Sequence, residues 1–384
     1  MCRWVAYISP TEPCLLSDIL ITPAHALTKQ VNAHYLPYLI PHQLAPIDQV
    51  ETITPTLPRV ATPLLPTTSP PPPPHLAPRL PLPETPPQTA LRLRNLALNT
   101  DGHGLVYYTL TSSRFLSPLT PPVPQPIHHR SALPLSSSAT FRSLAHNTST
   151  TCLLAHVRAG SHAPVAELNC HPFVFGRVSV MHNGSIGAFG EIKRVLVEGL
   201  SGDVYAGIQG GTDSEVLAAL IVDGLGGSVP SEVEKGERVL ARAVLDAFER
   251  VYDAQKRVLG RIERSSLNVC VSDGKVLVAT RWRDGEEEEE PPSLYISETA
   301  GVRLNSKFPG HPNGEEEQAG EGQRRGEGEH GRHVIVASEP YTFKEDEWTL
   351  MGKNQVLMVG QEGVMEIKRI VVEREGKLEV GELS

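Results

Sequence analysis

No stretch of about 18 apolar residues, the length that marks a membrane-spanning helix, occurs in this chain. No basic segment followed by an apolar core leads it either. A soluble, cytoplasmic protein without a membrane partner is therefore expected. Basic residues are in deficit: 35 Lys and Arg stand against 44 Asp and Glu, for a formal net charge of −9. Phosphate contacts need clustered Lys and Arg, so no nucleic-acid partner is expected. Only five cysteines occur, Cys2, Cys14, Cys152, Cys170 and Cys270, an odd number without framework spacing. In a chain this long they read as reduced and intracellular rather than as a disulfide scaffold. Cys152, His156, His162 and Cys170 fall close together, but the tightly spaced cysteine pairs of zinc sites are missing. They read as ordinary strand and loop residues, and no metal is expected. Neither a phosphate loop nor a dinucleotide fingerprint is present, so no cofactor is expected.

Proline, by contrast, is plentiful, with 34 in 384 residues. Length alone allows two domains of roughly 150 residues, yet proline and charge-rich runs remove much of the chain from any core. One domain over 2–384, carrying insertions, fits better. The run 54–89, with "TTSPPPPPHLAPRLPLP", lacks ladder donors and favours polyproline II, and reads as a disordered insertion. A second cluster, 117–126, reads as a proline-rich loop. The acidic run 284–292 and the acidic, glycine-rich run 311–332 read as solvated loops.

Between these runs the pattern is mixed. "RWVAYIS", "GLVYYTL", "TCLLAHV", "SLYIS", "HVIVASEPYTF", "QVLMVG" and "VMEIKRIVVE" read as strands. "GRVSVMHNGSI" alternates and is expected to stop at the turn dipeptide Asn183-Gly184. "SLNVCVSDGKVLVATRW" predicts a hairpin with a two-residue turn at Asp273-Gly274. "PAHALTKQ" reads as a short helix or an ordered loop, and helices are expected at "ATFRSLAHNT" and "EIKRVLVEGL". "GTDSEVLAALIVDGL" predicts a clearer one, Thr212 and Glu215 having capping-box spacing. Another follows in "EKGERVLARAVLDAFERVYDA", with Leu240, Val244, Phe248 and Val251 as its apolar stripe. Many strands with long helices in the middle indicate an α+β fold with helices on the faces of antiparallel sheets.

Four segments could carry chemistry, and each alone has a plainer explanation. Cys2 in "MCRWVAY" could be a buried side chain at a strand start. Removal of Met1, however, would give it a free α-amine beside its thiol, a base and nucleophile on one residue. Arg158 could be a solvated strand end, Asn183-Gly184 a simple turn, and Asp213 a residue favoured by a helix dipole. Together they suit one reaction. A thiol attacking an amide needs donors for the oxyanion, which an Asn side chain and a neighbouring backbone N–H supply. An amino-acid end needs an Arg for its carboxylate and an Asp for its ammonium.

The order of Cys2, "HVRA", "NCHPF", "MHNG" and "GTDSE" resembles the class II glutamine amidotransferases, a branch of the N-terminal-nucleophile hydrolases. "MCRWVAYIS", "PAHALTKQ", "DGHGLVYY", "AHVRAGSHAPVAELNCHPF", "VMHNGSIGAFGEIKR", "LNVCVSDG" and "VIVASEPYTF" are similar to a stand-alone subgroup. That subgroup includes the amidotransferase-like subunit of the fungal glutathione-degradation complex and the γ-glutamyl hydrolase of bacterial ergothioneine synthesis. The resemblance implies a four-layer αββα sandwich. It implies Cys2 as nucleophile with its α-amine as base, and Asn183 and Gly184 as the oxyanion hole. Arg158 would hold the substrate α-carboxylate and Asp213 its α-ammonium. His171 matches a histidine near the site, where a structural role is as plausible as substrate binding. His103 stands where the subgroup usually carries an aromatic residue and could alter the pocket rim. The resemblance also implies a small γ-glutamyl substrate and a metallopeptidase-like partner subunit. Hydrolysis of glutathione is the first expectation. Glutamine hydrolysis feeding a separate synthase, and a catalytically silent scaffold docking through its proline-rich loops, are the alternatives. The scaffold has no chemical need for all five of Cys2, Arg158, Asn183, Gly184 and Asp213.

Overall fold

In the computed structural model the described residues are 2–23, 25–30, 100–116, 122–160, 163–227, 236–285, 289–305, 330–342, 345–372 and 377–381. The proline run 54–89 lies outside them, as do 117–121, 286–288 and 311–329. The strands are β1 (Arg3–Ile8), β2 (Cys14–Leu15), β3 (His103–Thr109), β4 (Gln125–Ser131), β5 (Ser149–Thr150), β6 (Cys152–Val157), β7 (Phe173–Phe175) and β8 (Val178–Ser185). They continue with β9 (Ser266–Ser272), β10 (Leu277–Arg281), β11 (Tyr295–Ser297), β12 (Val334–Ala337), β13 (Thr349–Leu350), β14 (Gln355–Val359), β15 (Met365–Val372) and β16 (Leu378–Gly381). One sheet has the order β13-β11-β12-β1-β6-β3-β4 and the other β16-β15-β14-β10-β9-β8-β7, with β2 and β5 as a separate small pair.

Side chains alternate across each strand, and this alternation builds three apolar layers. Trp4, Ala6 and Ile8 of β1 meet Met181, Cys270 and Leu357 between the sheets. Val5 and Tyr7 point the other way, onto Leu16, Ile19 and Phe141 of short covering helices. On the outer face of the second sheet, Val180, Val269 and Val356 pack against long helices. The result is the four-layer αββα sandwich, and among the described residues no helix is long and apolar enough to cross a membrane.

The covering helices form where the sequence indicates. In the helix Asp213–Gly224, Thr212 is the N-cap, its hydroxyl accepting the Glu215 N–H at 3.1 Å. The reciprocal half of the capping box is absent, because the Glu215 carboxylate accepts the N–H groups of Gln209 and Gly210 instead. In the helix Glu237–Leu259 the stripe Leu240, Val244, Phe248 and Val251 is fully buried, worth about 1.5–3 kcal/mol per side chain. Gly260 closes this helix in the left-handed conformation.

Five local expectations change. β8 does not stop at Asn183-Gly184 but runs to Ser185, with Asn183 opposite Asn268 and Gly184 opposite Leu267. The hairpin at Asp273-Gly274 is present, but Ser272 pairs with Leu277, so its loop has four residues. Asp273 Oδ1 organises that loop by accepting the N–H groups of Lys275 and Val276. The proline-rich loop 117–126 ends early, since β4 begins at Gln125. Pro126 is tolerated there because β4 is an edge strand. The acidic run 284–292 is partly tied down: Glu289 pairs with Arg264 and Arg283, and Glu290 with Arg281. At the end of the run 311–332, His330 and Gly331 are bound to the buried Glu12.

Candidate active site

The register of β1 against β6 sets Arg3 opposite Val157. One step outward, Cys2 therefore meets Arg158 and Ala159 at the end of β6. Cys2 has the parity of Trp4, which places it on the inter-sheet side. Its sulfur accepts the Ala159 N–H at 3.3 Å and lies 3.6 Å from the Ala159 carbonyl oxygen. Burial raises the thiol above its ordinary pKa, while the Ala159 N–H and the charges of the chain's amino terminus, Arg158 and Arg3 pull it down.

Arg158 is buried, and its guanidinium donates to the carbonyls of Pro164 and Ala163 at 3.0 and 2.8 Å. Two of its five N–H donors are thus used to hold the fork still. Its own N–H donates to Gly102 O, and the Gly160 N–H to Asp101 Oδ2, so the "DGHG" turn clasps the end of β6. Gly102 is required there: a Cβ would lie 2.5 Å from Cys170 Sγ, at a φ of 110°.

Asn183 shares the parity of Met181 and faces the same inter-sheet layer as Cys2. A Cβ at Gly184 would lie 1.8 Å from Ser266 O, so only glycine lets β8 approach β9 here. Asp213 opens the helix above this strand end. Its Oδ2 accepts the Ile186 N–H at 3.0 Å and its Oδ1 the Ser214 N–H at 2.9 Å. The carboxylate therefore bridges the helix start to the backbone just past Ser185.

His171 does not line an open wall. It is buried, with its ring 4.1 Å from that of His156 and edge-on to Phe173 at 4.7 Å. Neither of its ring nitrogens meets a partner among the described residues. His182 completes the group, with Nδ1 2.9 Å from Ser214 Oγ and Nε2 3.0 Å from Ser266 O. His103 also turns away from the site, packing on Phe141 with Nδ1 2.8 Å from Leu133 O.

Burial keeps these histidines neutral. It lowers His156 to about 3, His171 well below its usual value, and His182 to a lesser degree because Asp213 opposes it. Unfolded, each would take up a proton near 6.5. Below that pH the unfolded chain binds more protons than the folded one, so stability falls as pH drops from about 6.5 towards 3. The slope is roughly 1.4 kcal/mol per pH unit for each histidine in its window. The thermal midpoint should accordingly decline steadily over this range, and His156→Gln should flatten the decline by about one proton. A flat profile for the wild type would show that the cluster is solvated.

Three residues that local sequence reading leaves without roles meet beside Cys2. Arg3 Nε donates to Glu339 Oε1 at 2.5 Å, His25 Nε2 lies 2.6 Å from Glu339 Oε2, and Arg3 Nη1 donates to the Cys2 carbonyl at 3.2 Å. They come from "MCRWVAYIS", "PAHALTKQ" and "VIVASEPYTF", three segments that share the resemblance to the subgroup. Of the cysteines and histidines weighed as a metal set, Cys152 contacts Ser272 Oγ and Cys170 faces backbone carbonyls, while His162 lies outside the described residues.

A glutamine aminotransferase class-II domain protein from Silicibacter pomeroyi superposes with a TM-score of 0.50 at 18% identity, over 96% of this chain and 98% of that one, and shares its fold. The chain is 30% identical over 283 residues to the probable glutamine amidotransferase DUG3 of Saccharomyces cerevisiae, covering 72% of this chain and 74% of the relative. No family profile matches. The chain belongs to the class II glutamine amidotransferases, enzymes of the N-terminal-nucleophile hydrolase fold. Its likeness to DUG3 is long, whereas that to glutamine–fructose-6-phosphate aminotransferase of Gluconobacter oxydans is 40% over 73 residues, or 19% of this chain and 11% of that enzyme.

Proposed function

We propose that this chain hydrolyses the γ-glutamyl amide bond of glutathione through a thioester on Cys2. With Met1 removed, the α-amine of Cys2 takes the thiol proton as sulfur adds to the γ-carbonyl carbon. Asn183 and the Gly184 N–H stabilise the resulting oxyanion. The intermediate collapses with cleavage of the C–N bond, and the amine passes its proton to the departing nitrogen of cysteinylglycine. Water then attacks the thioester with the amine again as base, releasing glutamate and restoring the thiol. Arg158 takes the α-carboxylate with its remaining donors, and Asp213 takes the α-ammonium on lone pairs its two N–H contacts leave open.

The observation that carries this reading is the register of β1 on β6. It sets the Cys2 thiol on the Ala159 N–H, next to Arg158, on the inter-sheet side that Asn183 also faces. The choice of glutathione is supported by the subgroup resemblance. Three of its distinctive segments converge on the nucleophile through Arg3, His25 and Glu339.

A metallopeptidase-like subunit is the proposed partner. The test is product analysis with glutathione and glutamine at equal concentration, with and without that partner. Cysteinylglycine from glutathione should outrun ammonia from glutamine. Ammonia leading in both conditions would make the chain a glutaminase, and no product in either would favour a scaffold.

A further inference from the structure

Glu339 is a buried carboxylate that the proposed reaction does not use. It follows β12 and receives Arg3 on one oxygen and His25 on the other. Burial opposes its charge, but Arg3 and His25 outweigh burial and hold its pKa below the usual range. Next to it, Ser338 Oγ accepts the Trp4 N–H at 3.0 Å, and the Ser338 N–H donates to Trp4 O at 2.9 Å. Residues 2–4 are thus gripped twice, through the main chain at Trp4 and through the Arg3 side chain at Cys2 O.

A buried ion pair contributes little net stability compared with apolar packing of the same volume. What it does supply is direction. The rigid fork of Arg3 reaches the Glu339 carboxylate and the Cys2 carbonyl together, as a flexible ammonium does not. Cys2 directly precedes β1, and the Arg3 guanidinium bonds its main-chain carbonyl. We propose that Arg3, Glu339 and His25 form a positioning triad that fixes the Cys2 backbone and so aims its thiol and α-amine, without touching substrate. This rests on the reading of Cys2 as nucleophile. Misplacing a reacting group by about 1 Å can cost on the order of 10²-fold in rate.

The test compares the full-length wild type with Glu339→Gln, Arg3→Lys and a control, Asp284→Asn. Asp284 is a partly buried carboxylate just past β10, accepting a hydrogen bond from the Tyr252 hydroxyl. Steady-state kinetics on γ-glutamyl substrate, normalised to folded protein, should show kcat down about 10–100-fold in Glu339→Gln, with KM within about threefold. Arg3→Lys should fall between, and the control should match wild type. Hydrogen exchange read by mass spectrometry should speed up in the N-terminal peptide of Glu339→Gln but not of the control. This second measurement needs no substrate, so it stands even if the substrate or the nucleophile has been misassigned. Unchanged exchange in that peptide, or kcat per folded molecule equal to the control's, overturns the proposal. A rise in KM at constant kcat also overturns it, because the triad would then be binding substrate. Should Glu339→Gln fail to fold, Arg3→Lys decides on the same two readouts.

Discussion

Cys2→Ala removes turnover of γ-glutamyl substrate and leaves the fold intact. A loss on the order of 10⁶ in kcat is the scale seen when a hydrolase loses its nucleophile. The fold survives because Cys2 lies ahead of β1, is not among the residues that build the three apolar layers, and hydrogen-bonds through its sulfur to the Ala159 main chain. The other cysteines differ. Cys14, Cys152 and Cys270 are buried in the layers, and burial pushes all three thiols up, Cys152 to about 12. Replacing any of them with Ala should cost packing but not chemistry. Steady-state rates together with circular dichroism check both halves. Wild-type activity in Cys2→Ala would remove the proposed mechanism altogether.

Asn183→Ala has the next largest expected effect, a fall in kcat of about 10²–10³ with little change in KM. The fall corresponds to about 2.7–4 kcal/mol of transition-state stabilisation. The position is well suited to such a role, because β9 pairs with the backbone of Asn183, and Gly184 lets the two strands lie close together just beyond it. A donor held this rigidly needs no reorganisation when charge develops. A pure KM effect would place Asn183 in substrate binding instead.

Much of the fold can be read from the chain because its periodicities are clean. Leu240, Val244, Phe248 and Val251 share a helix face and are all buried, and the β9 alternation sends Val269 and Val271 outward and Cys270 inward. The misreadings fall where local chemistry and tertiary context disagree. Asn183-Gly184 is a turn dipeptide by propensity, yet a strand in fact, because the missing Cβ lets the chain lie against Ser266. β4 hides behind Pro126, which only an edge position excuses. The candidate site shows the same division. Cys2, Arg158, Asn183, Gly184 and Asp213 stand in motifs, and their order suggests one chemistry. No local pattern links Arg3 to Glu339 across 336 positions, or His25 to Glu339 across 314. The Arg3–Glu339 contact follows from β12 lying beside β1. His171 stands in a motif too, but its burial against His156 depends on how the strands bring separate segments together.

In the proposed reaction Cys2, with its α-amine free, carries the γ-glutamyl group. This is tested most directly by mixing enzyme with glutathione, quenching in acid within the first turnovers, and measuring intact mass followed by peptide mapping. The expected result is a chain lacking Met1 that bears one glutamyl group, mapped to Cys2 and removed by hydroxylamine. Active enzyme that retains Met1 throughout, or a glutamyl adduct on any other residue, would contradict it.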